Sequence, residues 1–142
     1  MNEQSFEETV ARICDTDDRY DMEAYFFIRE ALDHAARKFN REPPNRHVTG
    51  AELSEGVREY ALNEFGPLAY LVLTEWGLHT TGDFGEIVYN LIAEGVFGKS
   101  ETDRREDFND VYNFHDAFVE PFEPTLNSPD DDGQRKPRRE KS

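Results

Sequence analysis

Cysteine is nearly absent from this chain: Cys14 is the single one in 142 residues. One thiol cannot close an intramolecular disulfide, and no CxxC pair of the kind that holds zinc is present. Long apolar runs are missing too, since none approaches the roughly 18 residues of a membrane span. The opening stretch Met1-Asn2-Glu3-Gln4-Ser5 lacks the basic and apolar regions of a secretion signal. These absences lead to the expectation of a cytoplasmic protein with no membrane partner. Apolar residues in general are sparse, at 37% against the usual range of about 45–50%.

Positive charge is also scarce. The net charge is −15, from 31 acidic and 16 basic residues. From Pro121 onward five acids and five bases cancel, so residues 1–120 hold 26 acids against 11 bases and carry the whole net charge. A field of that sign repels nucleic-acid backbones and anionic membranes and favours cationic partners. It also keeps a small protein in solution, the plainer role. Aromatic residues are what the chain has in compensation: 11 Phe, 6 Tyr and 1 Trp. Each ring system buries about 150–250 Å², so a few of them can build a core where aliphatics are few.

Helical periodicity runs through most of residues 3–95. Ser5 with Glu8 fits a capping box, and Phe6, Val10 and Ile13 fall on one face of a first helix. Asp15 to Asp21 reads as a turn. Asp21 is a candidate N-cap for a second helix, with Tyr20 and Tyr25 placed as a hydrophobic staple. That helix is expected to run to about Arg41, before Pro43-Pro44, with Tyr25, Ile28, Leu32, Ala35 and Phe39 as its buried stripe. Thr49 with Glu52 is a second capping box, opening a third helix whose period is carried by Leu53, Val57, Tyr60, Ala61 and Glu64 or Phe65. Gly66-Pro67 ends it and begins a fourth, in which Leu68, Leu71 and Val72 are expected to face inward and Gly77 to cap. Phe84, Ile87, Val88, Leu91 and Ile92 mark a fifth helix that ends at Gly95. Beyond it Val96-Phe97 suits a short strand. Residues 100–118 fit a sixth helix, through Phe108, Val111, Tyr112 and His115, or a strand, through Phe108, Tyr112 and Phe114. From about Pro124 the sequence lacks the apolar content to offset chain entropy, and a disordered tail is expected over 123–142. Its Arg135-Lys136-Pro137-Arg138-Arg139 cluster suits a solubilising end or a weak anion contact. The expected fold is therefore all-α, one domain of five or six helices over 1–122, with a small β-hairpin after residue 95 in the winged-helix manner as a variant.

The run Thr49-Gly50-Ala51-Glu52-Leu53, then Gly56-Val57-Arg58, Phe65-Gly66, Val72-Leu73, Trp76-Gly77, Thr81, Asp83-Phe84-Gly85-Glu86-Ile87-Val88-Tyr89, Asp107-Phe108, Tyr112-Asn113-Phe114 and Phe118 resembles an uncharacterised family of short proteins from planctomycete and verrucomicrobial bacteria. The resemblance covers most of residues 6–122, and the stretch from Trp76-Gly77 through Asp83-Phe84-Gly85 is its most specific part. It implies kinship and brings no catalytic residue with it, because that family has no assigned activity. In shape, residues 67–105 resemble a winged helix-turn-helix, whose second helix would be about 81–94. That helix offers Asp83, Glu86 and Glu94 and no base, and Lys99, Arg104 and Arg105 in the supposed wing are surrounded by acids. DNA binding normally rests on several phosphate contacts from cations, so a winged-helix transcriptional regulator is an alternative and not the main reading.

Chemical motifs are few. Asp83-Phe84-Gly85 lacks the glycine-rich and catalytic loops of a kinase, and helix capping by Asp83, packing by Phe84 and close approach at Gly85 account for it. His34, His47, His79 and His115 have no zinc spacing, and no HExxH is present. Counted from Asp15, the sixth and twelfth positions of a calcium loop hold Tyr20 and Phe26, so the EF-hand pattern fails. Cys14 lies among acids that would raise its pKa and blunt it as a nucleophile. No metal or cofactor is expected, and an enzyme would need a cleft that the sequence does not reveal. Trp76, Tyr89, Tyr112 and Phe114, close to acidic residues, suit either the core or a surface gripping a cationic peptide. The function expected is thus a non-enzymatic protein-interaction module or small regulator with an acidic surface and a basic protein as partner. Asp103, Glu106, Asp107 and Asp110 are the candidate partner-binding residues, since they recur at helical spacing if 101–113 is a helix.

Overall fold

The computed structural model describes residues 2–41, 47–97 and 104–124, together with the backbone of 129–130 and 134–135. Among these it has five α-helices: α1 Glu3–Thr16, α2 Met22–Lys38, α3 Gly50–Phe65, α4 Ala69–Glu75 and α5 Thr81–Ala93. Single turns of 3₁₀ helix lie at Gly66–Leu68, Arg105–Phe108 and Glu120–Phe122, and a π-helical turn at His115–Val119. The one strand pairing among the described residues is two residues long, Pro129–Asp130 beside Gln134–Arg135. The domain is all-α, and no described helix is long and apolar enough to cross a membrane.

Helix starts follow their caps. The Thr49 side chain accepts from Glu52 N and the Glu52 carboxylate accepts from Thr49 N, satisfying two backbone donors that the first turn leaves free. Asp21 accepts from Glu23 N at the head of α2. Asp83 Oδ2 accepts from the backbone N–H of His79 and of Thr80 at the head of α5. The first helix departs from expectation. Asn2, not Ser5, caps it, accepting from Ser5 N, because an extended Asn2 lets helical backbone begin three residues earlier.

Helix α2 stops at Lys38, short of the expected Arg41. Asn40 takes a left-handed φ of 58°, a conformation asparagine tolerates better than most residues, so the chain turns before reaching the prolines. Arg41 then ties the turn down, donating to the carbonyls of Phe39 and His47 and to the Glu52 carboxylate.

The pairing of α2 with α3 organises the core. The start of α2 meets the end of α3, where Phe27 packs on Tyr60 and Phe65, and its end meets the middle of α3, so the helices run antiparallel. Ala31, Ala35 and Ala36 are buried along α2. Opposite them, a Cβ on Gly56 would stand 2.6 Å from the Ala35 Cβ, 3.1 Å from its Cα and 3.3 Å from the Ala31 carbonyl. Val57, Ala61, Leu73, Leu78, Ile87 and Leu91 fill the layer behind, all fully buried.

The face of α4 is the clearest correction. Leu68 and Leu71 were expected inside, yet they are 59% and 55% exposed, and Ala69 and Leu73 are buried instead. Gly66 and Pro67 form a 3₁₀ turn, with three residues per turn in place of 3.6. A helical period counted from Leu68 is therefore out of phase.

The segment after α5 is neither of the expected alternatives. Val96 and Phe97 form no strand, residues 98–103 lie outside the described residues, and 105–119 are separate short turns. Buried Thr81 fixes this segment: its hydroxyl donates to the Phe108 carbonyl and accepts from Val111 N. The Phe108 ring fills the space above Gly85, where a Cβ would be 2.7 Å from it. The close approach expected at Gly85 is thus made by a ring. Phe84, Tyr112, Phe114 and Phe118 make a ring cluster with centroids 5.1–6.4 Å apart. The expected tail, apart from the short strand pairing, falls largely on 125–128, 131–133 and 136–142, outside the described residues.

Between α1 and α2 the turn is held by charge. Arg19 makes two side-chain hydrogen bonds to Asp17, at 2.9 and 2.7 Å, and Asn90 of α5 donates to the same carboxylate. The Arg19 guanidinium, helped by Asn90, holds the Asp17 carboxyl well below the usual carboxylate range against the opposing effect of burial.

Two stability predictions follow from these contacts. In an open helix Gly→Ala gains about 1 kcal/mol of propensity. At Gly56 the methyl has no room, and overpacking of this kind costs about 1–3 kcal/mol. Gly56→Ala should lower the urea midpoint, and a raised midpoint would show that α2 and α3 can separate to accept it. For Asp17, a depressed folded-state pKa means stability that is complete above the unfolded value of about 3.9 and is lost as pH falls through the folded value. Asp17→Asn should cost about 1.5–3 kcal/mol at neutral pH, the range for hydrogen bonds to charged groups. The gap to the parent should close on acidification below about pH 4. A gap constant down to pH 2 would contradict the pairing.

Candidate functional site

Because α2 and α3 are antiparallel, the aromatic start of one lies beside the aromatic end of the other. Glu23, Phe26, Phe27 and Glu30 follow helical spacing along the first half of α2. Tyr60, Glu64 and Phe65 come from the last turns of α3, and Trp76 caps α4. These eight residues line a groove of about 190 Å³. Phe27 is its floor, 94% buried. Around it stand Tyr60, Phe65 and Trp76, with ring centroids 5.4, 5.8 and 5.5 Å from that of Phe27. Trp76 is held in place by its carbonyl, which accepts from Asp21 N at 3.0 Å. Gly77 follows at φ 94°, and a Cβ there would lie 2.3 Å from the Arg19 carbonyl, so only glycine lets α4 end against the α1–α2 turn.

Three glutamates rim this ring cluster and are exposed, while no base contributes to the lining. Glu30 has a partial counter-charge in Arg29 at 3.6 Å. Glu23 and Glu64 form no side-chain hydrogen bond or ion pair with described residues. The field reaches the floor of the site: burial raises the Tyr60 pKa, Glu64 and Glu30 raise it further, and Arg37 opposes them. Half-buried π-faces beneath uncompensated carboxylates attract a cation from both sides. The lining has no histidine, cysteine, serine or threonine.

The residues singled out in the sequence are scattered. Asp103 lies outside the described residues. Glu106 and Asp107 sit on the 3₁₀ turn Arg105–Phe108, and Asp110 has a left-handed φ of 53°. The helix over 101–113 that would have aligned them is therefore not formed where the chain is described. Glu106 and Asp110 are exposed, while Asp107 is half-buried and paired with Arg104 at 3.7 Å. The aromatic set divides as well. Trp76 belongs to the groove, Tyr89 lies under the Arg105 guanidinium at 4.8 Å, and Tyr112 and Phe114 join the second ring cluster. Arg105 also reaches Glu86 at 3.6 Å. A supposed wing cation is thereby folded onto the helix it was expected to flank.

Elsewhere, His34 contacts Glu59 at 2.7 Å, and exposed His115 faces Glu123 at 3.5 Å. Among the described residues no group of three or more His, Cys, Asp or Glu is placed to hold a metal ion. Cys14 is half-buried, and burial first, then Asp21, Asp17 and Asp15, raises its pKa. The groove itself was missed in sequence. Its traces are Glu23 and Glu30 seven residues apart around Phe26-Phe27, and Glu64 beside Phe65, but only the tertiary pairing joins them to Trp76. Comparison with protein-family models, with curated proteins and with solved structures finds no match.

Proposed function

We propose that this protein is a non-enzymatic interaction module that takes a lysine or arginine side chain of a basic partner protein into the groove between α2, α3 and the end of α4. The observation that carries the reading is a floor of four rings under three glutamates, two of them without a counter-charge among described residues. The volume of about 190 Å³ is below the roughly 300–1,000 Å³ of a pocket for a drug-sized molecule and suits one side chain. Lysine and arginine suit its chemistry, since their alkyl stems pack on rings while the charged head stays near water. The −15 charge would steer such a partner and speed its encounter. The 106–110 face is a second acidic surface, without rings to complement a stem. The resemblance to short bacterial proteins adds no site residue to this reading.

Trp76 is the sole tryptophan of the chain and lines the groove, so its fluorescence reports occupancy. Titration with a synthetic lysine- and arginine-rich peptide at low salt should change the Trp76 emission, with affinity falling as salt rises. Glu23→Gln with Glu64→Gln should weaken binding about tenfold, or about 1.4 kcal/mol. Reversal at Glu106, Asp107 and Asp110 should leave it within about twofold, as expected for rim charges distant from the contact. No binding at low salt would remove the reading. Loss only on reversal at 106–110 would move the site there.

A further inference from the structure

The chemistry of the groove interior narrows which cation it takes. Phe26, Tyr60, Phe65 and Trp76 are half-buried, so each keeps surface open to solvent. Phe65 and Trp76 stand at 79° to each other, while Trp76 lies at 53° and Tyr60 at 39° to Phe27. Their faces therefore point in different directions around the floor. Hydrogen-bond acceptors are scarce beside them. The lining side chains carry only the three rim carboxylates and the Tyr60 hydroxyl, and the Trp76 indole adds a donor, not an acceptor. We infer that the ligand this groove selects is an N-trimethylated lysine of the partner protein. The inference rests on the groove reading above and names the chemical form of the side chain that enters it.

Two costs decide between the forms. An unmodified ammonium carries three N–H donors and a guanidinium five. Carried among the rings, such a head leaves water that the Tyr60 hydroxyl alone cannot replace. Each donor left unmatched lowers affinity about five- to hundredfold, while a ring face returns about two- to thirtyfold. An unmodified head is therefore held at the rim beside Glu23 and Glu64, where an exposed ion pair adds about fivefold at most. A trimethylated head keeps its full positive charge and has no N–H to satisfy. Each of its methyl groups adds about fourfold on burial. Glu23, Glu30 and Glu64 are exposed, so they stay hydrated while their charge acts on the head from the rim. The groove volume of about 190 Å³ is that of one side chain. A lysine within a protein also brings flanking bases for the −15 charge to attract, which a free quaternary ammonium lacks.

The test uses the full chain and a synthetic arginine-containing peptide with a single lysine. The lysine is unmodified, trimethylated, or replaced by an uncharged isostere in which a tert-butyl group stands for the trimethylammonium. Trp76 emission reports binding. The trimethylated peptide should bind about tenfold more tightly than the unmodified one. That ratio should persist at high salt, which weakens both peptides alike through their flanking bases. The isostere should bind at least about fivefold more weakly than the trimethylated peptide, because it buries the same shape without the charge. Phe65→Leu keeps an apolar side chain but removes a π-face, and it should bring the trimethylated-to-unmodified ratio within about threefold. The isostere comparison needs no variant, so it decides the question even where Phe65→Leu fails to fold. Equal affinity for trimethylated and unmodified peptides, both dependent on Glu23 and Glu64, would overturn the inference and leave the interaction reading standing. Equal affinity for isostere and trimethylated peptide would also overturn it, reducing the groove to an apolar contact. Binding of the trimethylated peptide alone, with the unmodified one silent at low salt, would uphold the inference and sink the reading for unmodified partners. A Trp76 response to tetramethylammonium chloride with no response to any peptide would overturn the lysine and assign the groove to free quaternary cations.

Discussion

The close approach of α2 and α3 at Gly56 is the contact on which the remaining structure hangs. With glycine facing Ala31 and Ala35, the two backbones come nearer than larger side chains would permit. Antiparallel helices that pack this tightly bring their far ends together as well, and at that end both are aromatic. Phe27 is covered by Tyr60 and Phe65 as a result, and the short α4 can lay Trp76 across the same ring. Small residues thus sit in the middle of the pair and large rings at its end. The groove lies at that aromatic end.

Charge imposes a second constraint. A domain with 26 acids and 11 bases over residues 1–120 cannot pair them all, so the placement of the bases determines where negative potential survives. Arg19 lies against Asp17 and Glu86, and Arg105 also approaches Glu86. Both serve the junction of α5 with its neighbours, where loop backbone must be fixed. The helix surface at Glu23 and Glu64 receives no such base. Exposed carboxylates cost little in water, so folding exerts no pressure to neutralise them. Their survival next to ring faces is then a surface property that a ligand can use.

Local chemistry was legible in the sequence and assembled chemistry was not. Thr49 with Glu52, Asp21 and Asp83 act within four residues of themselves, and their capping roles can be read from spacing alone. The buried faces of α1 and α5 follow a period that nothing interrupts. The face of α4 was misread because the 3₁₀ turn at Gly66–Leu68 shifts the phase, and a phase shift leaves no mark in the hydrophobic pattern. Residues 104–119 carry no period because their backbone is fixed by a distant hydroxyl, that of Thr81. Trp76 was recognised as a ring near acids, but it was grouped with Tyr89, Tyr112 and Phe114, which belong to other parts of the fold. Its true companions come from two helices whose register is set by Gly56.

Energetics limit what the groove can do alone. A cation over exposed rings gains about 0.5–1 kcal/mol, and about 2 when desolvated. Micromolar affinity corresponds to about 8 kcal/mol, and long-range attraction adds to association rate more than to affinity. Under the proposed reading, a partner must therefore also bury neighbouring apolar surface. Leu68 of the 3₁₀ turn and Leu71 of α4 are exposed apolar side chains, each more than half open to solvent. The 3₁₀ turn that put Leu68 and Leu71 outside, against the periodicity of the sequence, thus leaves apolar surface on the same short element that Trp76 caps.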